Sequence, residues 1–431
     1  MKRLIYLDHA ATTPLDPRVL TAMKPFFIGE FGNPSALYDL GVQARQAIDA
    51  SRKSIAEILH TTADTVAFTS GGTESNNLAI LGVARQMLSA AHTTANPSTP
   101  PLGKGRISKS PPFQGGVGVV AGVKASRGRI ITTPIEHDSV LGPIKKLEQE
   151  GWEVTYVSVD KYGLVNPQDV IRAIRPETVL ISVMYANNEI GIIEPIAEIG
   201  RMILRYRKEH NSPYPYFHTD ACQAANYLDI DVEKLHVDLM TINGSKIYGP
   251  KGTGLLYVRR GVKLEPLFYG GQQEHSLRPG TENVAGIVGL AKALALAQAP
   301  SPNKGEDGGG GLRKLTKYFW SQLQEKVSNV KLNGPEIDEQ RLPNNLNIEF
   351  PGIEGEALLL YLNEAGIMCS TSSACGLESS EPSHVLSAIE LLPERVRGSV
   401  RFSLGHSIKK NDVDYAINQL VSILKLLRGR N

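Results

Sequence analysis

Between about residues 40 and 260, short apolar runs alternate with longer stretches of helical spacing, and this rhythm constrains the fold more than any other feature of the chain. The runs include Thr65-Val66-Ala67-Phe68, Arg129-Ile130-Ile131, Val154-Thr155-Tyr156-Val157, Val179-Leu180-Ile181-Ser182-Val183, Tyr216-Phe217-His218 and Asp238-Leu239-Met240-Thr241-Ile242. Segments of this length are strands, and strands separated by helices pair side by side through crossovers, so the pattern predicts an α/β protein with a mainly parallel sheet. Past Gly261 the rhythm changes. The chain closes with an amphipathic helix over 412–428, whose Ala416, Ile417, Leu420, Ile423, Leu424 and Leu427 share one face, and this predicts a second, smaller α+β domain.

Two stretches break the pattern. Residues 93–128 are dominated by Pro, Gly and Ser, and residues 299–311 end in Gly308-Gly309-Gly310-Gly311. The first lies between a helix expected at about 73–91 and the strand at Arg129, where a few residues suffice, so both are read as inserted surface loops. Charge excludes other roles. Forty-six basic and 44 acidic side chains leave a net +2 with no local Lys/Arg cluster, so neither nucleic acid nor an anionic membrane is an expected partner. The first apolar run stops at Asp8 and no later stretch approaches a membrane span, so a cytoplasmic protein is expected. Three cysteines, Cys222, Cys369 and Cys375, are too few for a disulfide framework, which leaves thiols in a reducing compartment.

Several strand ends carry residues suited to chemistry. Thr69-Ser70-Gly71-Gly72-Thr73-Glu74-Ser75-Asn76-Asn77 joins a strand to a helix through two glycines flanked by hydroxyls, a turn that lets an anion approach free N–H groups at the positive end of the helix. Asn243-Gly244-Ser245-Lys246-Ile247-Tyr248-Gly249-Pro250-Lys251-Gly252 follows an apolar strand. It fails as a nucleotide P-loop, which requires Gly-Lys-Ser/Thr, and instead places Lys246 where partial desolvation favours the neutral amine that attacks a carbonyl. His218-Thr219-Asp220-Ala221-Cys222-Gln223 puts a carboxylate at the ligand edge of the sheet, suited to a pyridinium nitrogen or to a helix cap. Ile135-Glu136-His137-Asp138 offers either a loop histidine or a ring-stacking, proton-handling group. Cys375 stands in a Ser-rich, polar stretch from Ser370 to Ser383, unlike the apolar setting of an inert packing cysteine.

In order, these segments resemble the cysteine desulfurases, pyridoxal-phosphate enzymes of the class V aminotransferase group with the fold-type I architecture. The resemblance also rests on Tyr6-Leu7-Asp8-His9-Ala10-Ala11-Thr12-Thr13-Pro14, Gly32-Asn33-Pro34-Ser35, Asn187-Asn188-Glu189-Ile190-Gly191, Arg278-Pro279-Gly280-Thr281, Ser373-Ala374-Cys375 and Val400-Arg401-Phe402-Ser403. It implies a large cofactor-binding domain over 16–298 and a small domain made of 1–15 and 312–431, joined through the 299–311 insertion. It implies that Lys246 holds pyridoxal phosphate covalently and removes the substrate Cα proton, that Asp220 meets the ring nitrogen, and that Gln223 and Asn188 bond the phenolic oxygen. His137 would stack on the ring and take part in catalysis. Gly72, Thr73, Asn243 and Ser245 would hold the phosphate, together with Thr281 reaching it from the neighbouring subunit of a homodimer. Arg401, with Asn188, would bind the substrate carboxylate, and Cys375 would take sulfur from L-cysteine as a persulfide, leaving L-alanine. The sulfur would pass to an acceptor such as an iron–sulfur scaffold or a tRNA-thiolation protein. A selenocysteine lyase of the same fold, a plain aminotransferase and an inactive scaffold are the competing readings. One departure stands out: Asn243-Gly244-Ser245-Lys246 replaces the usual Ser-x-His-Lys, removing a potentially cationic phosphate donor.

Overall fold

The structure is a computed structural model that describes residues 3–95, 127–299, 310–371 and 382–429; Cys375 lies outside the described residues. In chain order the strands are β1 (Ile5–Tyr6), β2 (Val66–Thr69), β3 (Arg129–Thr132), β4 (Glu153–Tyr156), β5 (Thr178–Ser182), β6 (Tyr216–Asp220), β7 (Leu239–Asn243), β8 (Gly254–Val258), β9 (Lys331–Leu332), β10 (Asn345–Glu349), β11 (Ile367–Met368), β12 (Ser370–Thr371) and β13 (Ser399–Ser403). Seven of them form one sheet in the order β2-β8-β7-β6-β5-β3-β4. Strands β4, β3, β5, β6 and β7 pair in parallel, as the alternation predicts. β8, which the apolar rhythm does not reveal, runs antiparallel to both β7 and β2. The cause is the connection: residues 244–253 are too few for a crossover, so the chain turns back on itself, with Gly252 at φ +73°.

The central strands of the large sheet are buried on both faces, whereas the edge strand β4 exposes Glu153 and Tyr156. Phe68, Ile131, Ile181, Phe217, Met240, Ile242 and Leu255 enter one apolar core, while Ile130, Leu180, Leu239 and Leu256 enter a second on the opposite face with Leu78 and Ile144. The helix Gly72–Ala95 starts directly after β2, and the helix Val284–Gln298 packs against Asp39–Ile58. A separate core gathers Phe319, Leu346, Ile348, Val400, Phe402 and Leu420, and Ile5 and Leu7 from the other end of the chain insert into it. Around it lie the antiparallel sheet β12-β13-β10-β9 and the two-stranded pair β1-β11. The last helix spans Lys410–Arg428 and is capped at its start by Asp412, whose Oδ2 accepts from the Lys409 N–H at 2.9 Å. Among the described residues no helix is long and apolar enough to cross a membrane.

Candidate active site

Strands β2, β3, β5, β6 and β7 are mutually parallel, and the residues following their C-terminal ends converge on a cavity of about 330 Å³. This is where an open α/β sheet binds ligands, because loops leave the sheet there in diverging directions. Gly72 and Thr73 come from the turn after β2, His137 and Ser139 from the one after β3, and Met184, Ala186 and Asn188 from the one after β5. Asp220, Cys222 and Gln223 end β6, and Asn243 and Lys246 end β7. The opposite wall is made by Asp8, Ala10 and Ala11 after β1, by Ser370 and Thr371 of β12, and by Arg401 of β13.

On the sheet side each polar group is held by hydrogen bonds, those of Asp220 and Asn76 fully buried. The Asp220 carboxylate accepts from Asn76 Nδ2 at 2.7 Å through one oxygen and from the Cys222 N–H at 2.9 Å through the other. Asn76, fully buried, also donates to Ser139 Oγ at 2.8 Å. His137 caps the helix Asp138–Gln149: its Nδ1 accepts from the Ser139 N–H at 3.0 Å, which leaves the proton of the neutral ring on Nε2. Burial holds the imidazole below its ordinary pKa, assisted by Lys246 and opposed by Asp220, so the ring stays neutral. The Lys246 amine donates to the carbonyl oxygens of Ala10, at 3.0 Å, and Ala11. Burial lowers its pKa from 10.5, which favours the neutral, nucleophilic amine.

Two glycines shape the start of the helix Gly72–Ala95. Gly71 has φ +147°, a conformation side chains rarely adopt, and a Cβ on Gly72 would stand 2.8 Å from Cys222 Sγ. The backbone is thereby open to an anion at the first turn of a long helix, whose leading N–H groups have no intrahelical partners. Asn243 lines this corner. Its Oδ1 accepts from the Ser245 N–H and hydroxyl, each at 3.2 Å, while Nδ2 lies on the Gly72 side.

Arg401 dominates the other wall. Its side chain is buried; Nη1 donates to the Asn188 carbonyl at 3.0 Å and Nη2 pairs with Asp8 Oδ1 at 2.7 Å. Arg401 Nε is buried without a partner among the described residues. Nearby, Cys369 and Cys222 are free, and burial raises the pKa of both thiols, which keeps them protonated and weakly nucleophilic.

Lys246, His137, Gly72, Thr73, Asn188, Asp220, Gln223, Asn243 and Arg401 therefore share one cavity. Ser245 is not among its lining residues, and Thr281 lines another cavity, of about 250 Å³, with Phe27, Phe31 and Asn33. Gln223 Nε2 donates to the Ala10 carbonyl at 2.9 Å. Asp8, Asn76 and Ser139 were given no role by sequence reasoning. Asp8 lies within a quoted motif, but its partner is 393 positions away; Asn76, in the phosphate-turn segment, points at the acid of a different strand.

The model of the family described as aminotransferase class-V matches residues 5–94 and 118–416. "Cysteine desulfurase IscS" of Dictyoglomus turgidum is 44% identical, the match covering 99% of this chain and 96% of the relative. The protein of the same description from Methanosarcina thermophila is also 44% identical, over 99% and 93%. Among solved structures, a NifS-like protein superposes with TM-score 0.81 at 32% identity, covering 99% of this chain and all of that one, and "SspA in complex with cysteine" with TM-score 0.71 at 34%, covering 94% and 99%. The chain belongs to the class-V aminotransferase family, within its cysteine desulfurase branch. Enzymes of that family generally depend on pyridoxal phosphate. The stretch the family model leaves unmatched, 95–117, falls inside the Pro/Gly/Ser-rich 93–128.

Proposed function

We infer that this chain is a cysteine desulfurase: with pyridoxal phosphate it removes sulfur from L-cysteine, releasing L-alanine and leaving a persulfide on Cys375. The observation that carries the reading is the meeting of Asp220, His137, Lys246, the Gly71–Gly72 turn and Arg401 around one cavity. The residues fit the cofactor: Cys222 Sγ and Asn243 crowd the Gly72 Cα so closely that only glycine fits at this helix start, a buried carboxylate stands ready for a ring nitrogen, and a desolvated amine lines the same cavity. When bound, pyridoxal phosphate supplies an electron-accepting ring that spreads negative charge from the substrate Cα.

The chain's own residues divide the remaining work. Lys246 holds the cofactor and, once freed, its neutral amine takes the Cα proton. Asp220, held by Asn76 and the Cys222 N–H, keeps the ring nitrogen protonated. The neutral His137 ring would pack on the cofactor and could donate through Nε2, and Gln223 and Asn188 would supply donors to its phenolic oxygen. Gly72, Thr73 and Asn243 would bind the phosphate, with Ser245 orienting Asn243 from behind; with Ser245 in place of a histidine, retention is weaker by about 1–2 kcal/mol. Arg401 binds the substrate carboxylate. The Cys375 thiolate attacks the substrate sulfur; an S–S bond forms, the C–S bond breaks, and the carbon takes a proton to become alanine.

Further features support the wider reading. Ile5 and Leu7, packed with Phe402 and Leu420, support a small domain of 1–15 and 312–431 beside a large one over 16–298. The exposed Phe27, Ile28, Phe31, Leu37 and Tyr38, next to the cavity that Thr281 lines, support a homodimer in which Thr281 reaches the partner's phosphate. Free thiols at Cys222 and Cys369 suit the cytoplasm. The acceptor of the persulfide sulfur is a protein, an iron–sulfur scaffold or a tRNA-thiolation protein.

The test is release of alanine and sulfide from L-cysteine with dithiothreitol, on protein supplied with pyridoxal phosphate, beside L-selenocysteine. Equimolar products from L-cysteine, lost in Cys375→Ser, are expected. Turnover of selenocysteine alone overturns the reading in favour of a lyase.

A further inference from the structure

Arg401 already has a carboxylate. Asp8 Oδ1 lies 2.7 Å from Nη2, and both side chains line the cavity in which the substrate carboxylate is to be bound. The pair is asymmetric in a way that matters. Asn188 occupies Nη1 through its backbone carbonyl at 3.0 Å, a neutral contact that fixes the guanidinium without cancelling its charge. Asp8 supplies the charge, but its recorded bond to Arg401 is through one oxygen alone, whereas a guanidinium offers carboxylates a two-pronged fork. Arg401 Nε is buried and has no partner among the described residues, which leaves one prong of that fork unspent.

Asp8 is held by its backbone independently of this ion pair. It bridges to Ser403 in parallel, and its carbonyl accepts from the Ala11 N–H at 3.1 Å and the Thr12 N–H at 3.4 Å. The turn so formed delivers the Ala10 and Ala11 carbonyls to Lys246. The carboxylate is thus presented to Arg401 by a structured segment rather than by a wandering side chain.

We propose that Asp8 is a resident counter-ion of Arg401, with which the carboxylate of the amino-acid substrate or product competes, and that it thereby sets the affinity of the site for both. The inference rests on the reading that Arg401 binds the substrate carboxylate. Its physical content is electrostatic. Without Asp8 the site carries one more uncompensated positive charge, and an incoming carboxylate neither displaces a competitor nor sits beside a like charge. Alanine leaves such a site more slowly for the same reason. Asp8 therefore weakens binding in the service of release, and L-cysteine and L-alanine feel it equally because both carry the carboxylate.

The test uses the cofactor-loaded full chain with Asp8→Asn, which keeps shape and removes charge, and Asp8→Ser as a second variant should Asn introduce a new hydrogen bond. Melting temperature and cofactor absorption establish that each variant is folded and loaded. The expected result is a fall of about tenfold in both the KM for L-cysteine and the inhibition constant of L-alanine. Inhibition by cysteamine, which has the thiol and amine of the substrate but no carboxylate, should stay within about twofold. A rise in KM, no change, or an equal shift for cysteamine would overturn the proposal, the first by making Asp8 a support for Arg401. Arg401→Lys separates this from the underlying reading: if that variant leaves the KM for L-cysteine unaltered, Arg401 does not bind the carboxylate, whatever Asp8 does.

Discussion

The two walls of the cavity are built on different principles. On the sheet side, Asp220 and Asn243 end strands, while His137 and Lys246 follow strands within a few residues. Hydrogen bonds to neighbouring sheet-side groups fix the polar atoms of Asp220, His137 and Asn243, while the Lys246 amine reaches across to the Ala10 and Ala11 carbonyls. Opposite them, Ser370, Thr371 and Arg401 come from adjacent short strands of the small sheet and Asp8 from the other end of the chain, joined to Arg401 by an ion pair. A backbone-fixed wall suits a resident group that stays through every turnover. A wall closed by a replaceable ion pair suits a molecule that must enter and leave. Changes on the first should strike the chemical step, and changes on the second should strike substrate affinity.

The sharpest break falls on Lys246. Lys246→Ala should lose at least about 10³-fold in turnover with the fold intact, checked by alanine release beside a thermal melt; residual activity above a tenth of wild type would remove the proton-transfer role. On the other wall, Arg401→Ala should cost about 2–3 kcal/mol of substrate binding, near a hundredfold, read mainly in KM. A loss confined to kcat would blur the distinction between the walls.

A subtler contrast concerns the buried acids behind the sheet wall. Burial pushes the Glu194 carboxyl from 4.5 up to about 8; its one recorded bond is from the Val165 N–H, at 3.0 Å, and its Oε1 has no partner. The unfolded chain gives up this proton near 4.5 and the folded chain near 8, so between those values the folded state binds more protons. Stability from this group therefore falls as pH rises through that window and is lost above it. Glu194→Gln should flatten the dependence of Tm on pH, matching wild type near pH 4.5 and exceeding it progressively above that, by about 5 °C near pH 9. An unchanged slope would show that Glu194 ionises freely in the fold. The smallest effect belongs to Cys369→Ser, expected to stay within about twofold of wild-type turnover because burial keeps that thiol protonated; a large loss would give Cys369 a share in the sulfur step.

Legibility in the sequence follows the same division. Strands β2, β3, β5, β6 and β7 could be read to within a residue or two because their burial leaves apolar runs. The edge strand β4, with both ends exposed, showed through its β-branched and aromatic residues. The Gly, Asp and Lys at the strand ends could be placed because turn chemistry is local. β8 escaped because it is one arm of a tight reversal rather than a unit of the alternation. His137 was open between two readings, and its capping bond to Ser139 is a detail no spacing announces. Asn76 and Asp8 were invisible as partners, since their contacts with Asp220 and Arg401 join residues 144 and 393 positions apart. The insertion expected from composition at 93–128 lies outside the described residues over 96–126, and its first residues, to Ala95, continue the helix that starts at Gly72.

The most direct test of the central claim is a mass measurement on peptides from protein incubated with L-cysteine in the absence of reductant, with alanine counted in parallel. One added sulfur atom on the peptide containing Cys375, matched by one alanine per chain, is the predicted result. Added sulfur on the peptide containing Cys222 or Cys369 instead, or alanine formed with no sulfur retained on the protein, would contradict it.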